Sequence, residues 1–305
     1  MRNDKPYNAL SPFLRERLGY KTAKICVDGG FTCPNRDGRL GTGGCLFCGA
    51  RGAGDFTVQN ADITAQVRAR LASPLGGRRA ERFIAYFQSF SGTYADVNTL
   101  RTRYDAALCD DRIVGLAVAT RPDCITPEVV SLLSAYAASR YVWVELGLQS
   151  ARADTAAAMN VGYTKEDFSR AAELLSAAGI DVVAHMIVGL PGEGREDALS
   201  TLRFINSTPV KGLKIHSLYV TEGSGLADVW RNGEYTPLSF ADYTQTVVAL
   251  LCHARPDLVI HRLTGDCPKD ALLAPAWSGE KNKVLDEIHR LLRVGGLSQG
   301  CLYQK

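Results

Sequence analysis

Short apolar segments alternate along this chain with segments of helical periodicity. The apolar segments are rich in β-branched and aromatic residues and continuously apolar, which is typical of strands buried on both faces of a parallel sheet. Six of them are expected to be strands: Lys24–Asp28, Phe83–Phe87, Ile113–Thr120, Tyr141–Leu148, Ile180–Leu190 and Leu213–Val220. The alternation therefore predicts an α/β fold with a parallel sheet.

Amphipathic helices are expected between these strands. Apolar residues repeat at helical spacing in three intervals, at Ile63, Val67 and Leu71, at Val97, Leu100, Tyr104 and Leu108, and at Leu199, Leu202 and Ile205. Thr126 followed by Pro127 predicts a helix that begins with proline at its first position. Thr164 begins another helix in a sequence that resembles a capping box, and Gly179 ends it.

Six β–α units are too few to close an eight-stranded barrel. They predict a partial (β/α)6 barrel of the TIM type with an open side. A doubly wound open sheet is the competing fold, although no dinucleotide-binding fingerprint follows any predicted strand. We expect the barrel core to span residues 1–235. Residues 236–305 are expected to form an α/β extension over the open side, with helices at 239–253 and 281–293 and a strand at 258–263.

The segment after the first predicted strand holds Cys33, Cys45 and Cys48 in a C-x11-C-x2-C pattern. Glycine and turn-forming residues surround them, so neither helix nor strand is expected there. A C-x2-C pair places two sulfurs close together, and a flexible glycine-rich loop lets a third cysteine fold back beside them. The spacing therefore predicts a metal site.

Two kinds of metal site fit these cysteines. Structural zinc takes four protein ligands, so Cys26 in the first strand would have to be the fourth. A four-iron cluster is usually held by four thiolates. If only three hold it, one iron keeps an open position that can bind a substrate or cofactor. The cysteines by themselves leave both alternatives open.

Polar or glycine-rich sequences follow the other predicted strands. In a barrel of this kind the loops after the strands build the active site at one end, so we expect these sequences to meet the cysteine loop. They are Gln88-Ser89, Thr120–Asp123, Gln149-Ser150, Gly189–Glu193 and Tyr219–Gly225. This convergence favours an active-site metal over a closed structural zinc.

Several polar residues lie within the predicted strands. Lys214 and His216 alternate on the sixth strand, so both are expected to face the barrel interior and contact substrate or cofactor. Glu145 is a candidate partner for such a cation. His185 is expected to be a core histidine whose hydrogen bonds are satisfied. Three residues of the extension are candidates for lining a substrate channel: His261, Arg262 and Asp266.

The composition indicates which cellular compartment and which kinds of binding partner to expect. The 305 residues are 46% hydrophobic and 22% charged, as in a globular protein with a buried core, and the net charge of +3 does not indicate nucleic-acid binding. The first twenty residues lack the apolar segment of a signal peptide, and no apolar run is long enough for a membrane span. Nine cysteines in such a chain predict a reducing, cytoplasmic setting with thiols or metal ligands and no membrane partner.

Two locally basic runs would suit a phosphate backbone. For either run alone, an ordinary solvated surface is the simpler interpretation. The first run contains Arg2, Lys5, Arg15, Arg17, Lys21 and Lys24, and the second contains Arg68, Arg70, Arg78, Arg79 and Arg82.

Seven segments of the chain together resemble the radical S-adenosylmethionine (SAM) superfamily. They are FTCPNRDGRLGTGGCLFC, YFQSFSGTY, ATRPDC, YVWVELGLQS, IVGLPGE, KIHSLYV and HRLTGDCP. Phe47 matches the aromatic residue that the superfamily carries before its last cluster cysteine. The usual superfamily spacing between the first two cysteines is much shorter, and the seven segments together resemble a bacterial, YhcC-like family related to the radical SAM half of the Elongator catalytic subunit. The resemblance runs from about Tyr7 to Gly300.

The resemblance implies that Cys33, Cys45 and Cys48 hold a 4Fe-4S cluster whose fourth iron chelates SAM. One-electron reduction by a protein such as flavodoxin or ferredoxin would release a 5′-deoxyadenosyl radical, which takes a hydrogen atom from the substrate. The relation to Elongator implies chemistry on a tRNA wobble uridine, with a small-molecule substrate as the alternative. A zinc-stabilised RNA-binding module and an iron–sulfur electron carrier are alternatives without this chemistry.

Individual roles follow from the resemblance residue by residue. Gln88 lies where the superfamily carries a Gly-Gly-Glu segment for the SAM amine, and Phe47 belongs to the cofactor-binding set. Gln149 is a candidate for the ribose or carboxylate of SAM, or a buried residue satisfied by backbone. Gly189 lies in a motif expected near adenine.

One segment departs from the pattern of the relatives. The sequence Asn160-Val161-Gly162-Tyr163 stands where related proteins carry an arginine and a histidine. The resemblance therefore leaves a cation near the SAM carboxylate unassigned, and Arg121 is a candidate to replace it. Arg121 could instead pair with Asp123, for which a paired structural role is expected.

Overall fold

A computed structural model describes residues 5–49, 51, 52, 57, 62–72 and 80–304. The strands are β1 (Thr22–Val27), β2 (Arg82–Phe87), β3 (Ile113–Thr120), β4 (Tyr141–Gln149), β5 (Asp181–Val188), β6 (Gly212–Ser217), β7 (Val220–Thr221), β8 (Val259–Arg262) and β9 (Leu272–Ala274). The helices are α1 (Leu10–Leu18), α2 (Ile63–Ala72), α3 (Val97–Ala107), α4 (Pro127–Ala137), α5 (Ala153–Ala158), α6 (Lys165–Ala177), α7 (Arg195–Asn206), α8 (Gly225–Arg231), α9 (Phe240–His253) and α10 (Lys281–Val294).

Seven parallel strands form one curled sheet in the order β1-β2-β3-β4-β5-β6-β8, which is a half-barrel. The six strands expected from the apolar segments are all present, and the α/β partial barrel is confirmed. The strand expected at 258–263 is also present. It pairs with β6 as a seventh strand, because Val259 continues the parallel ladder beside Gly212. The division of the chain at residues 235 and 236 stays a prediction.

Local sequence explains how the helices begin and end. The Thr126 hydroxyl accepts a hydrogen bond from the Val129 amide, and Pro127 takes the first helical position, as expected. Thr164 and Asp167 form a reciprocal capping box at the start of α6. Gly179 has a φ of +75°, which a glycine adopts without strain, and it follows the end of this helix.

The two faces of the sheet are covered differently. Most of the helices pack on the outer face and form the main core. On the inner face, Leu14 of α1 packs against Ile84, Trp143 and Val183, so α1 closes the end where the strands begin. Within the described part of the chain, none of the helices combines the length and apolarity needed to cross a membrane. At the opposite end of the sheet, where the strands finish, the chain forms loops.

Candidate functional site

The cysteine loop follows β1 and contains turns without helix or strand, as expected. The carbonyl of Cys33 accepts hydrogen bonds from the amides of Arg36 and Asp37, at 2.8 and 3.1 Å. The amide of Cys48 donates to the carbonyl of Cys45 at 2.9 Å. Each end of the C-x11-C-x2-C segment is therefore a tight turn that presents a thiol.

A second segment of the chain fixes this loop from the side. Asn35 Nδ2 donates to the carbonyl of Asn160 at 2.6 Å, and Asn160 Nδ2 donates to the carbonyl of Gly44 at 2.8 Å. The amide of Leu46 donates to the carbonyl of Met159 at 3.1 Å. These amide hydrogen bonds join the cysteine loop to residues more than a hundred positions away, 125 in the case of Asn35 and Asn160. The pair has no signature in the sequence, which is why sequence reasoning missed it.

The three cysteines border one cavity of about 190 Å³. Residues at the ends of the other strands complete its wall. Polar residues that follow different strands in the sequence therefore lie together around the cysteines, as expected. The strand-end and strand residues that line the cavity include Gln88, Arg121, Glu145, Gln149, His185 and His216. Phe47 and Phe90 line it from the loops, and the exposed wall is mostly apolar. An apolar wall limits the access of water to whatever reacts inside.

Two predicted cofactor residues do not line this cavity. Lys214 is buried and donates to Glu145 Oε2 at 2.8 Å and to the Tyr86 hydroxyl at 3.0 Å. Gly189 accepts a hydrogen bond from the Tyr235 hydroxyl through its carbonyl and has a φ of +94°. In this structure Lys214 serves a buried ion pair, whereas Gly189 shapes the turn after β5.

Arg121 lines the cavity but most of its donors are in use. Its Nε and Nη2 each donate to the Asp123 carboxylate at 2.9 Å, the pairing expected for Asp123. Nη1 donates to the carbonyl of Val161 at 2.9 Å, and the guanidinium lies 4.7 Å from the centre of the Tyr163 ring. Arg121 therefore fixes the segment that departs from the pattern of the relatives.

Gln149 has a strained backbone and an unused acceptor. Its φ is +68°, a region that costs a residue with a side chain about 1–3 kcal/mol. The side chain folds back over Gly147, and Nε2 lies 3.5 Å from the Tyr163 hydroxyl. Its Oε1 is buried without a partner among the described residues. A buried acceptor without a donor costs about 1–3 kcal/mol, so this atom fits a bound group that donates, such as a ribose hydroxyl.

The expectation of a satisfied core histidine at position 185 is wrong. His185 Nε2 is buried without a hydrogen-bond partner among the described residues, and the side chain lines the cavity. Its ring lies 5.3 Å from that of His216. The apolar sequence around His185 indicated a buried strand position but did not show that this position borders a cavity.

Burial keeps both of these histidines neutral. It lowers the pKa of His185 well below its usual value, and Lys214 adds to this effect. Burial, with smaller contributions from Arg262 and Lys214, lowers the pKa of His216 to about 3. His216 Nδ1 lies 2.9 Å from the carbonyl of Ser217 and donates to it, so Nε2 carries the lone pair. The β5–β6 wall of the cavity thus carries uncharged polar rings.

The candidates for a substrate channel lie near the same wall. Arg262 and Asp266 are paired with each other, whereas His261 Nδ1 is buried without a hydrogen-bond partner among the described residues. His261 is buried, with its ring against Trp143 and Nδ1 4.0 Å from Glu145 Oε1. Arg262 donates to Asp266 at 2.6 Å, and Lys281 contacts the same carboxylate. None of the three is among the residues that line the cavity.

The arrangement of donors distinguishes the two kinds of metal site. Among the residues that the structure describes, no three His, Cys, Asp or Glu side chains converge closely enough to hold a single metal ion. The Cys26 thiol donates to Gln88 Oε1 at 3.4 Å and is not among the residues that line the cavity. Three thiols around a cavity suit a cluster, since each sulfur then binds a different iron. The residues present therefore fit a cluster with an open iron.

Two family profiles cover most of the chain. The Radical SAM superfamily matches residues 36–205, and the Radical SAM C-terminal domain matches residues 210–293. The chain is 37% identical over 305 residues to the protein YhcC of Escherichia coli, covering 99% of this chain and 97% of that protein. It is 37% identical over 303 residues to YtqA of Bacillus subtilis, covering 99% and 94%.

More distant similarity connects the chain to Elongator proteins. It is 29% identical over 178 residues to human Elongator complex protein 3, which is 56% of this chain and 32% of that protein. The structure of Elp3 from Methanocaldococcus infernus superposes with a TM-score of 0.70 at 18% identity, over 91% of this chain and 64% of that one. The last similarity concerns the fold alone. On the family profiles and the full-length relatives, the chain belongs to the radical SAM superfamily, whose cofactors are a 4Fe-4S cluster and SAM.

Proposed function

We propose that this enzyme holds its cluster with Cys33, Cys45 and Cys48 and removes a hydrogen atom from a tRNA wobble uridine side chain. The observation that carries the cluster assignment is that these three thiols border one cavity, while Cys26 does not. When bound and reduced, the cluster supplies the electron that cleaves the sulfonium bond of SAM and releases a 5′-deoxyadenosyl radical.

The protein's own residues would bind SAM and exclude water. Gln149 Oε1 would accept from the ribose, since it is a buried acceptor on the cavity wall without a donor among the described residues. Gln88 would contact the amine, and Phe47 and Phe90 would cover the adenosyl group. Arg121 donates four of its five N–H groups to Asp123, Val161 and Gly162, so its contribution to the SAM carboxylate would be a single hydrogen bond.

The tRNA part of the proposal depends on the partial similarity to Elongator complex protein 3. The basic runs add little to it. Lys24 is directed inward, 3.6 Å from Glu145, and Arg17 stacks on Tyr141. Arg2, Arg78 and Arg79 lie outside the described residues. A small molecule is the alternative substrate within the same chemistry.

The cluster and the cleavage of SAM are tested first. The protein is reconstituted anaerobically with iron and sulfide, reduced with dithionite, and assayed with SAM for 5′-deoxyadenosine. We expect product from the wild type and none from Cys45→Ala. Zinc binding without iron would instead support the zinc-stabilised module. A cluster that leaves SAM intact would support the electron carrier.

The substrate is tested with the active protein. Total tRNA from a strain that lacks the gene should increase 5′-deoxyadenosine formation, and tRNA from the parent strain should not. A mass change confined to a wobble uridine in the treated tRNA would identify the site. Equal product with both tRNA preparations would contradict the tRNA proposal and favour a small molecule.

A further inference from the structure

Arg36 is a cavity residue that the sequence motif did not single out. It lies three positions after Cys33, and its amide donates to the Cys33 carbonyl at 2.8 Å. Its side chain reaches across the loop, where Nη2 donates to the carbonyls of Cys48 and Gly49 at 3.2 and 2.8 Å. One residue therefore connects the first cysteine to the third.

The path of this side chain is tightly enclosed. Gly44 has a φ of +73°, and a Cβ placed there would lie 2.8 Å from Arg36 Nε. The guanidinium carbon lies 5.6 Å from the centre of the Phe90 ring on the cavity wall. A side chain held by a glycine, an aromatic ring and two carbonyls has few other positions available.

Arg36 lies beside the cavity without a carboxylate partner in the part of the chain that the structure describes. Among the described residues it forms no ion pair, whereas Arg121, the other arginine on the cavity wall, is paired with Asp123. Arg36 therefore brings net positive charge to a wall that it shares with three cysteines. Charges and hydrogen bonds close to an iron–sulfur cluster influence its reduction potential.

We propose that Arg36 is a positioning residue for the cluster, which fixes the chain at Cys48 and raises the reduction potential of the cluster through its charge. The proposal depends on the ligand assignment of the proposed function. Reduction adds a negative charge to the cluster, so a nearby guanidinium stabilises the reduced form more than the oxidised form.

Arg39 provides a matched control. It belongs to the same loop and also lies over an aromatic ring, 5.7 Å from the centre of Tyr94, but it is exposed and does not line the cavity. Arg36→Gln, Arg36→Lys and Arg39→Gln are compared with the wild type. Iron is counted after reconstitution, and the midpoint potential is measured by a redox titration followed by EPR.

We expect Arg36→Gln to hold less iron and to show a more negative midpoint potential. Arg36→Lys keeps the charge, so its potential should lie closer to that of the wild type. Arg39→Gln should match the wild type in iron content and in midpoint potential. If Arg36→Gln and Arg39→Gln both match the wild type, the proposal is overturned. If the wild type itself binds no four-iron cluster, the proposed function fails instead.

A second measurement does not need the cluster. Hydrogen–deuterium exchange of the cluster-free protein is followed in the peptide that contains residues 45–49. Exchange should be faster in Arg36→Gln than in the wild type and unchanged in Arg39→Gln. Unchanged exchange in Arg36→Gln would exclude the positioning role, even if that variant holds no iron at all.

Discussion

The carboxylate of Glu145 lies 2.8 Å from the ammonium group of Lys214, and both side chains are buried inside the half-barrel. The Tyr86 hydroxyl donates to the same carboxylate at 2.6 Å, and Lys24 approaches it to 3.6 Å. Burial alone would raise the pKa of Glu145, but Lys214 and Lys24 hold it well below its usual value. Burial lowers the pKa of Lys214 to about 8. This network fills the interior beside the cavity with paired charge.

Lys214→Met should destabilise the fold by about 3–5 kcal/mol, because it leaves a buried carboxylate without its main partner. Urea unfolding of the cluster-free protein measures this loss. Lys214→Met combined with Glu145→Gln should recover part of it, since the unpaired charge is then gone. A single variant as stable as the wild type would show that Lys24 suffices to balance Glu145.

Gly147→Ala should weaken SAM binding. A Cβ at this position would lie 2.6 Å from Gln149 Nε2 and 2.8 Å from the Tyr163 hydroxyl, so the Gln149 side chain must move. Equilibrium dialysis with labelled SAM and reconstituted protein measures the change. Gly43→Ala is the control, because a Cβ there meets nothing within 4 Å. If Gly147→Ala binds SAM as tightly as Gly43→Ala and the wild type do, Gln149 does not contact SAM.

The cluster-free protein should lose stability as the pH falls from about 6.5 towards 3. The folded-state pKa values of His216 and His261 are lowered to about 3, so the unfolded chain binds these protons first. By linkage, the free energy of unfolding then decreases with falling pH. Urea unfolding between pH 7 and 5 should show a shallower decrease for His216→Asn. An identical pH dependence in the variant and the wild type would contradict this.

Cys26→Ser should leave the iron content unchanged. The Cys26 thiol donates a hydrogen bond to Gln88 and is not among the residues that line the cavity. A serine hydroxyl can donate the same hydrogen bond. Iron and sulfide analysis after reconstitution measures the result, with Cys33→Ser as the variant expected to lose the cluster. Iron lost equally from both variants would make Cys26 a fourth ligand.

The sequence predicted the architecture well because the signals are local. The strands of a buried parallel sheet are continuous apolar runs, and helix starts such as Thr126-Pro127 and Thr164–Asp167 are set by neighbouring residues. The three cysteines were recognisable for the same reason, since their spacing within one loop is a local pattern. The place of β8 in the sheet was not, because strand order depends on packing.

The amino-acid sequence by itself determined the half-barrel, the cysteine loop and the polar strand ends of this protein. Only the tertiary structure decided which polar side chains are hydrogen-bonded or ion-paired within the protein and which can contact a bound molecule. Lys214 and Arg121 are held by Glu145 and Asp123, whereas Gln149 and His185 each keep, within the described ranges, a polar atom without a partner at the cavity. The physical reason is that a buried polar group is satisfied by whichever partner the fold brings within hydrogen-bond distance. Such partners lie on other strands and loops, far away in sequence.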